Sequence, residues 1–115
     1  MTVRDLHFKQ EIRELTPLDA DYPERLRNIP DPPRTHYVRG SLPPDDRPTV
    51  AIIGARSASD YGLQVARSFG RALAMQGIGI ISGMAAGIDS AGQWGAIDAE
   101  AKTYAVFGCG LNVCY

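Results

Sequence analysis

Val50-Ala51-Ile52-Ile53-Gly54-Ala55-Arg56-Ser57-Ala58-Ser59-Asp60 runs from a short, wholly apolar stretch into a glycine, a cation and a helix-capping serine. An apolar run of that length suits a parallel strand buried on both faces. Gly54 stops it. Ser59 is placed to cap a helix, and Asp60 suits its first turn. That helix is expected to reach about Gln76, with Ala66, Phe69 and Leu73 as its apolar stripe, Arg67 and Arg71 on an adjacent solvated face, and Gly77 as the stop. Ile78-Gly79-Ile80-Ile81 reads as a second buried strand, ended by Ser82-Gly83. A second helix follows from about Ile88 to Glu100. Its stripe of Ala91, Gly95 and Ala99 is small, as in a helix pressed close onto a sheet. Lys102 to Phe107 reads as a third strand, with Gly108-Cys109-Gly110 turning out of it.

A helix between each pair of buried strands calls for a parallel sheet with right-handed crossovers. This is the front half of a doubly wound α/β sheet. Three strands are few for a sheet covered on both faces, so the chain reads as a fragment or a truncated gene product.

Upstream the composition changes. All eight prolines lie between Pro17 and Pro48. Residues 1–48 therefore read as a proline-rich N-terminal extension, and 49–115 as the α/β domain. Within the extension, Tyr22-Pro23 opens a short helix through Ile29, with Pro23 at its first position and Leu26 and Ile29 facing the same way. Thr35 to Arg39 alternates as a short strand.

With 115 residues, 44% hydrophobic and 22% charged, the chain has the make-up of one small globular domain. It contains no run of about 18–20 apolar residues, as a membrane span requires. Its N-terminus reads as no secretory signal. Cys109 and Cys114 lack metal-ligand spacing and read as free thiols in a reducing cytosol. A net charge of −1 excludes a chain coated in basic residues, but leaves room for a local anion site.

Ligands of open parallel sheets gather beyond the carboxyl ends of the strands. Here those ends are Gly54-Ala55-Arg56-Ser57, Ser82-Gly83-Met84-Ala85-Ala86-Gly87 and Gly108-Cys109-Gly110. Glycine lets the backbone approach a ligand, and N–H groups at a helix start favour an anion. Ser57, Ser59 and Ser82 offer hydroxyls. Arg56 offers a forked, permanent charge matched to phosphate. The alternative is that these glycines only make tight turns, and the turns alone leave both readings open. There is no P-loop and no G-x-G-x-x-G, so a nucleotide or dinucleotide cofactor is not expected. Catalytic groupings are thin. His7 and His36 lie upstream of the strand ends, and His36 reads as a strand surface residue. Asp89 reads as a capping or dipole-pairing residue, and Trp94 as core.

Taken together, these segments resemble the DprA/Smf family of DNA-processing proteins. Tyr22-Pro23-Glu24-Arg25-Leu26 with Asp31-Pro32-Pro33 and Tyr37-x-x-Gly40 is similar to the family's entry segment. Val50 to Arg56 with Ser59-x-Tyr61-Gly62 looks like its GSR-type turn and following helix. Ser82-Gly83-Met84-Ala85-Ala86-Gly87-Ile88-Asp89 is similar to its SGxAxGID segment, and Thr103 to Leu111 with Tyr115 to its third-strand block. The resemblance covers about residues 15–115.

It implies a Rossmann-like domain and a non-enzymatic, cytoplasmic protein of natural transformation. Such a protein binds single-stranded DNA, loads a RecA-type recombinase and forms a homodimer, with no cofactor and no membrane partner. Carried over by position, Arg56 would hold a DNA phosphate, with Gly54, Ala55, Ser57, Ser59, Ser82, Gly83 and Gly87 shaping the pocket. Ala55 stands where the family usually has Ser, Ala86 where Arg is usual, and Gly92-Gln93-Trp94 where Ala-His-Arg is common. The competing readings are a phosphoribohydrolase of the LOG group on a related fold, whose PGGxGTxxE motif is not found here, and an inactive truncated remnant.

Overall fold

The structure, a computed structural model, describes residues 11–83 and 85–107. Readings that fall on His7, Met84, Gly108-Cys109-Gly110, Cys114 and Tyr115 lie outside them. The described chain forms two compact units, one ending at Asp45 and one beginning at Asp46.

In the first unit, β1 (Ile12–Leu15) pairs antiparallel with β2 (His36–Arg39), in the register Ile12 opposite Arg39 and Leu15 opposite His36. Between them lies α1 (Glu24–Arg27), a single turn that follows Pro23. Leu15, Tyr22 and Val38 make a small core, with Leu26 and Leu42 packed against it. Tyr22 is almost fully buried and satisfies its hydroxyl by donating to the Pro33 carbonyl at 2.8 Å. This accounts for a tyrosine before the proline: its ring fills the core while its polar tip ties down the Pro32-Pro33 segment. The expected pairing of Leu26 with Ile29 does not occur. The helix ends at Arg27, so Ile29 is past its end and partly exposed.

In the second unit, β3 (Thr49–Ala51), β4 (Gly79–Ser82) and β5 (Thr103–Ala105) form a parallel sheet in the order β3-β4-β5. The helices α2 (Asp60–Met75) and α3 (Ile88–Asp98) make the two crossovers. As the sequence indicates, Ser59 caps α2, its Oγ accepting from the Gly62 N–H at 3.0 Å. Gly77 closes the helix at a φ of 80°, a region glycine occupies without steric cost.

Both crossovers step the same way across the sheet, so right-handed connections bring both helices to one face. The two helices pack directly on each other there. Ile80, Ala74 and Ala96 form the core beneath them, with Ile52, Leu73, Ala99 and Ala101 at its margin. This differs from the strand burial expected on both faces. Val50 is about a third exposed, and Ala51 and Ile53 are exposed.

Glycine sets the spacing of the helix pair. A Cβ on Gly70 would run into the backbone carbonyl of Gly92, and one on Gly95 into that of Arg67. The backbones of α2 and α3 therefore touch. The small stripe of α3 serves this helix–helix approach as well as the sheet, where Gly92 abuts Ile52. The same closeness corrects the expected stripe of α2. The buried line is Ala66, Gly70 and Ala74. Phe69 has no room there, lies about 100° round the helix, and is exposed. With Tyr61, Val65 and Ala72 it lines a shallow groove on the outer face.

Gly70→Ala tests the contact. Alanine favours a helix over glycine by about 1 kcal/mol. Overpacking against a rigid backbone costs about 3 kcal/mol. A net loss of roughly 2 kcal/mol is expected in urea denaturation. A gain in stability would show that the helices are not in backbone contact.

A clamped strand-end turn as candidate anion-binding site

The first two strand ends are held together by three consecutive residues at the start of α3. Gly87 lies against the carbonyls of Ala55 and Arg56, in a φ of 85° that leaves no room for a Cβ. The Ile88 N–H donates to the Ala55 carbonyl at 3.2 Å. The Ile88 side chain covers Gly54, its Cβ 2.8 Å from where a Cβ on that glycine would sit. Asp89 completes the clamp. Its Oδ1 accepts from the Gly54 N–H at 3.1 Å, and its Oδ2 accepts from the Gly83 N–H at 3.0 Å. Ser82 Oγ, itself buried, donates to the Asp89 backbone carbonyl at 3.2 Å.

Asp89 is only 7% exposed. A buried carboxylate needs several donors to offset lost hydration. It has one from each of two strand ends, and it sits in the first turn of α3, where the helix dipole favours negative charge. Capping or dipole pairing is therefore only part of its role: it cross-links β3 to β4 through main-chain donors. The sequence carries only part of this signal: the glycine strand end at Gly83 presents an N–H that needs an acceptor, and Asp89 is the first acidic residue after it, but its reach back to Gly54 is set by the fold.

The expected site residues divide into two groups. Gly54, Ser82, Gly83 and Gly87 belong to the clamp, and Ser59 is committed as the α2 cap. Ala55 contributes its carbonyl to the clamp. Arg56 and Ser57 are exposed on the turn beyond β3. No hydrogen bond or ion pair holds the Arg56 side chain among the described residues. The structure therefore fixes the backbone of the Arg56 turn and leaves its guanidinium facing solvent.

Arg67 and Asp98 of the same unit are engaged with each other. Arg67 makes a forked contact with Asp98, at 2.6 and 2.8 Å, and lies over the Trp94 ring at 6.0 Å. Hydrogen bonding from Arg67 holds the Asp98 carboxyl below its ordinary range. Whatever stability this pair adds is present at neutral pH and is lost as pH falls through the carboxylate range; an exposed pair adds little. Trp94 was expected in the core and is instead half exposed under Arg67, because the buried face of α3 is too close to α2 for an indole. Gln93 is buried, its amide donating to the Tyr104 carbonyl at 3.1 Å. His36 is in the first unit, on β2, with its ring edge-on to Tyr22. No helix among the described residues is long and apolar enough to cross a membrane.

A parallel β-α-β-α-β unit with a clamped, cation-bearing turn at its strand ends defines a Rossmann-like protein with a candidate anion-binding site. Comparison with known proteins places it more closely. The chain belongs to the family described as DNA recombination-mediator protein A, which matches residues 13–115. It is 34% identical over 116 residues to the DNA processing protein DprA of Streptococcus pneumoniae, covering 98% of this chain and 41% of that one. It is 38% identical to Protein Smf of Synechocystis, covering 95% and 28%. The chain thus spans less than half the length of these relatives. An X-ray structure of the Streptococcus pneumoniae protein superposes with a TM-score of 0.80 over 96% of this chain and 40% of that one. DNA processing protein A from Helicobacter pylori, whose structure was described for its single-stranded DNA binding mode, superposes with a TM-score of 0.75 at 30% identity, covering 91% and 46%.

Removing the clamp should cost more than removing a cap. Asp89→Ala strips two N–H groups of a charged acceptor, a loss of about 3 kcal/mol or more. Ser59→Ala loses one neutral cap, about 1 kcal/mol. Urea midpoints of the two variants give the ranking, and equal losses would show that Asp89 does not bridge the turns.

Proposed function

We propose that this chain contributes to single-stranded DNA binding in a recombination mediator, with Arg56 as a contact to the DNA backbone. The observation that carries the reading is the Arg56 turn. Its backbone is fixed by the clamp, and its guanidinium is exposed at the carboxyl end of β3. A guanidinium binds a phosphodiester through paired N–H donors. Family membership and the single-stranded DNA binding mode described for the Helicobacter pylori relative support DNA as the source of that phosphate.

The wider role we propose for the whole protein is processing of incoming DNA in the cytoplasm during natural transformation, loading of a RecA-type recombinase, and action as a homodimer; membership of a DNA recombination-mediator family supports it. We propose no catalytic role and no cofactor. The second unit contains no histidine to act as a base, and its one buried carboxylate is committed to two backbone donors.

Fluorescence anisotropy with a labelled oligonucleotide across a salt series tests the site. Arg56→Ala should weaken binding and reduce the slope of log affinity against log salt by about 0.7, one phosphate contact on a single strand. An unchanged slope removes Arg56 from the contact. Incubation with nucleoside monophosphates should release no free base, and turnover there would replace the mediator reading with a phosphoribohydrolase.

A further inference from the structure

We propose that Asp89 is an internal anion that closes the strand-end amides to phosphate, making it a specificity-determining residue of this site. In dinucleotide-binding sheets, the pyrophosphate lodges against backbone N–H groups at the turn after the first strand. The strand-end N–H groups here include that of Gly54, after β3, and that of Gly83, after the next strand, β4. Both already donate to a carboxylate, at 3.1 and 3.0 Å. A phosphate entering the same place would have to displace a carboxylate that is 7% exposed, and would meet its negative charge at short range.

A second observation closes the pocket sterically. The Ile88 side chain fills the side of Gly54 where a Cβ would sit, so that no methyl group fits there, while the rest of the glycine is exposed. Gly87 likewise lies on the carbonyls of Ala55 and Arg56, occupying the inner side of the turn. The turn thus has a closed inner side and an open outer side. Arg56 and Ser57 are exposed. A phosphate on a flexible strand meets Arg56 from outside, while a free phosphate or a mononucleotide finds no cradle of amides. The inference adds ligand discrimination to the DNA-backbone reading and rests on that reading only for the identity of the outer ligand.

The test is a titration of the full chain with inorganic phosphate at constant ionic strength, following backbone amide resonances in ¹H–¹⁵N spectra. In the wild-type chain, the Gly54 and Gly83 amides should not move. In Asp89→Asn, which keeps the shape and one acceptor oxygen but removes the charge, at least one of the two should show a saturable shift. Asp89→Gly, which frees both donors, should show it at Gly83, where Ile88 does not fill the space. Movement of these amides in the wild-type chain overturns the proposal, as does their silence in either variant that retains a dispersed, folded spectrum. Should both variants lose that spectrum, the wild-type titration decides: silent amides uphold the closure and moving ones end it. Failure of the wild-type chain to bind an oligonucleotide would remove the DNA reading and leave this result standing, because phosphate alone is the probe.

Discussion

One buried carboxylate joins the ends of two adjacent strands. Asp89 accepts from the backbone of Gly54 and of Gly83, and it does so from the first turn of the helix that leaves the second strand. Its charge would be costly to bury alone. Two N–H donors and the helix start offset that cost together. The neighbouring residues depend on the same junction. Gly87 needs its left-handed backbone to lie on the Arg56 turn, and Ile88 can close over Gly54 because Asp89 holds that glycine in place.

The helix pair carries this junction. α2 begins just beyond the Arg56 turn, and α3 begins with the clamp. Their backbones touch at Gly70, Gly92 and Gly95, so neither can slide without displacing the other. Packing of this kind has little slack, since interiors are close-packed and intolerant of added volume. The spacing of the two turns is therefore set some distance away, by glycines with no chemistry of their own.

Much of this architecture is legible in the sequence, for identifiable reasons. The strands are short apolar runs ended by glycine, and Ser59 and Gly77 mark the limits of α2 by local backbone chemistry. Tertiary facts were harder to read. Phe69 fits an apolar helical period but lies outside the core, because periodicity does not reveal that two helices approach to backbone contact. Trp94 is half exposed for the same reason. β1 had no clear local signal, being a four-residue strand stabilised by its pairing with β2. At the site, residue types suggested a nest of free amides. Only the fold shows that the acceptor for those amides is carried by the chain itself, 35 residues from Gly54 and 6 from Gly83.

The clamp also bears on how such a site can change over generations. It is built from main-chain groups of its neighbours and from the side chain of Asp89, with Ile88 as cover. Side chains at Ala55 and Ala86 play no part in its hydrogen bonds. Their identity can drift, and with it the charge offered to a ligand, while the scaffold that positions Arg56 stays as it is. The charge at positions 55 and 86 is thus separable from the architecture of the clamp, which rests on Asp89 and its glycines.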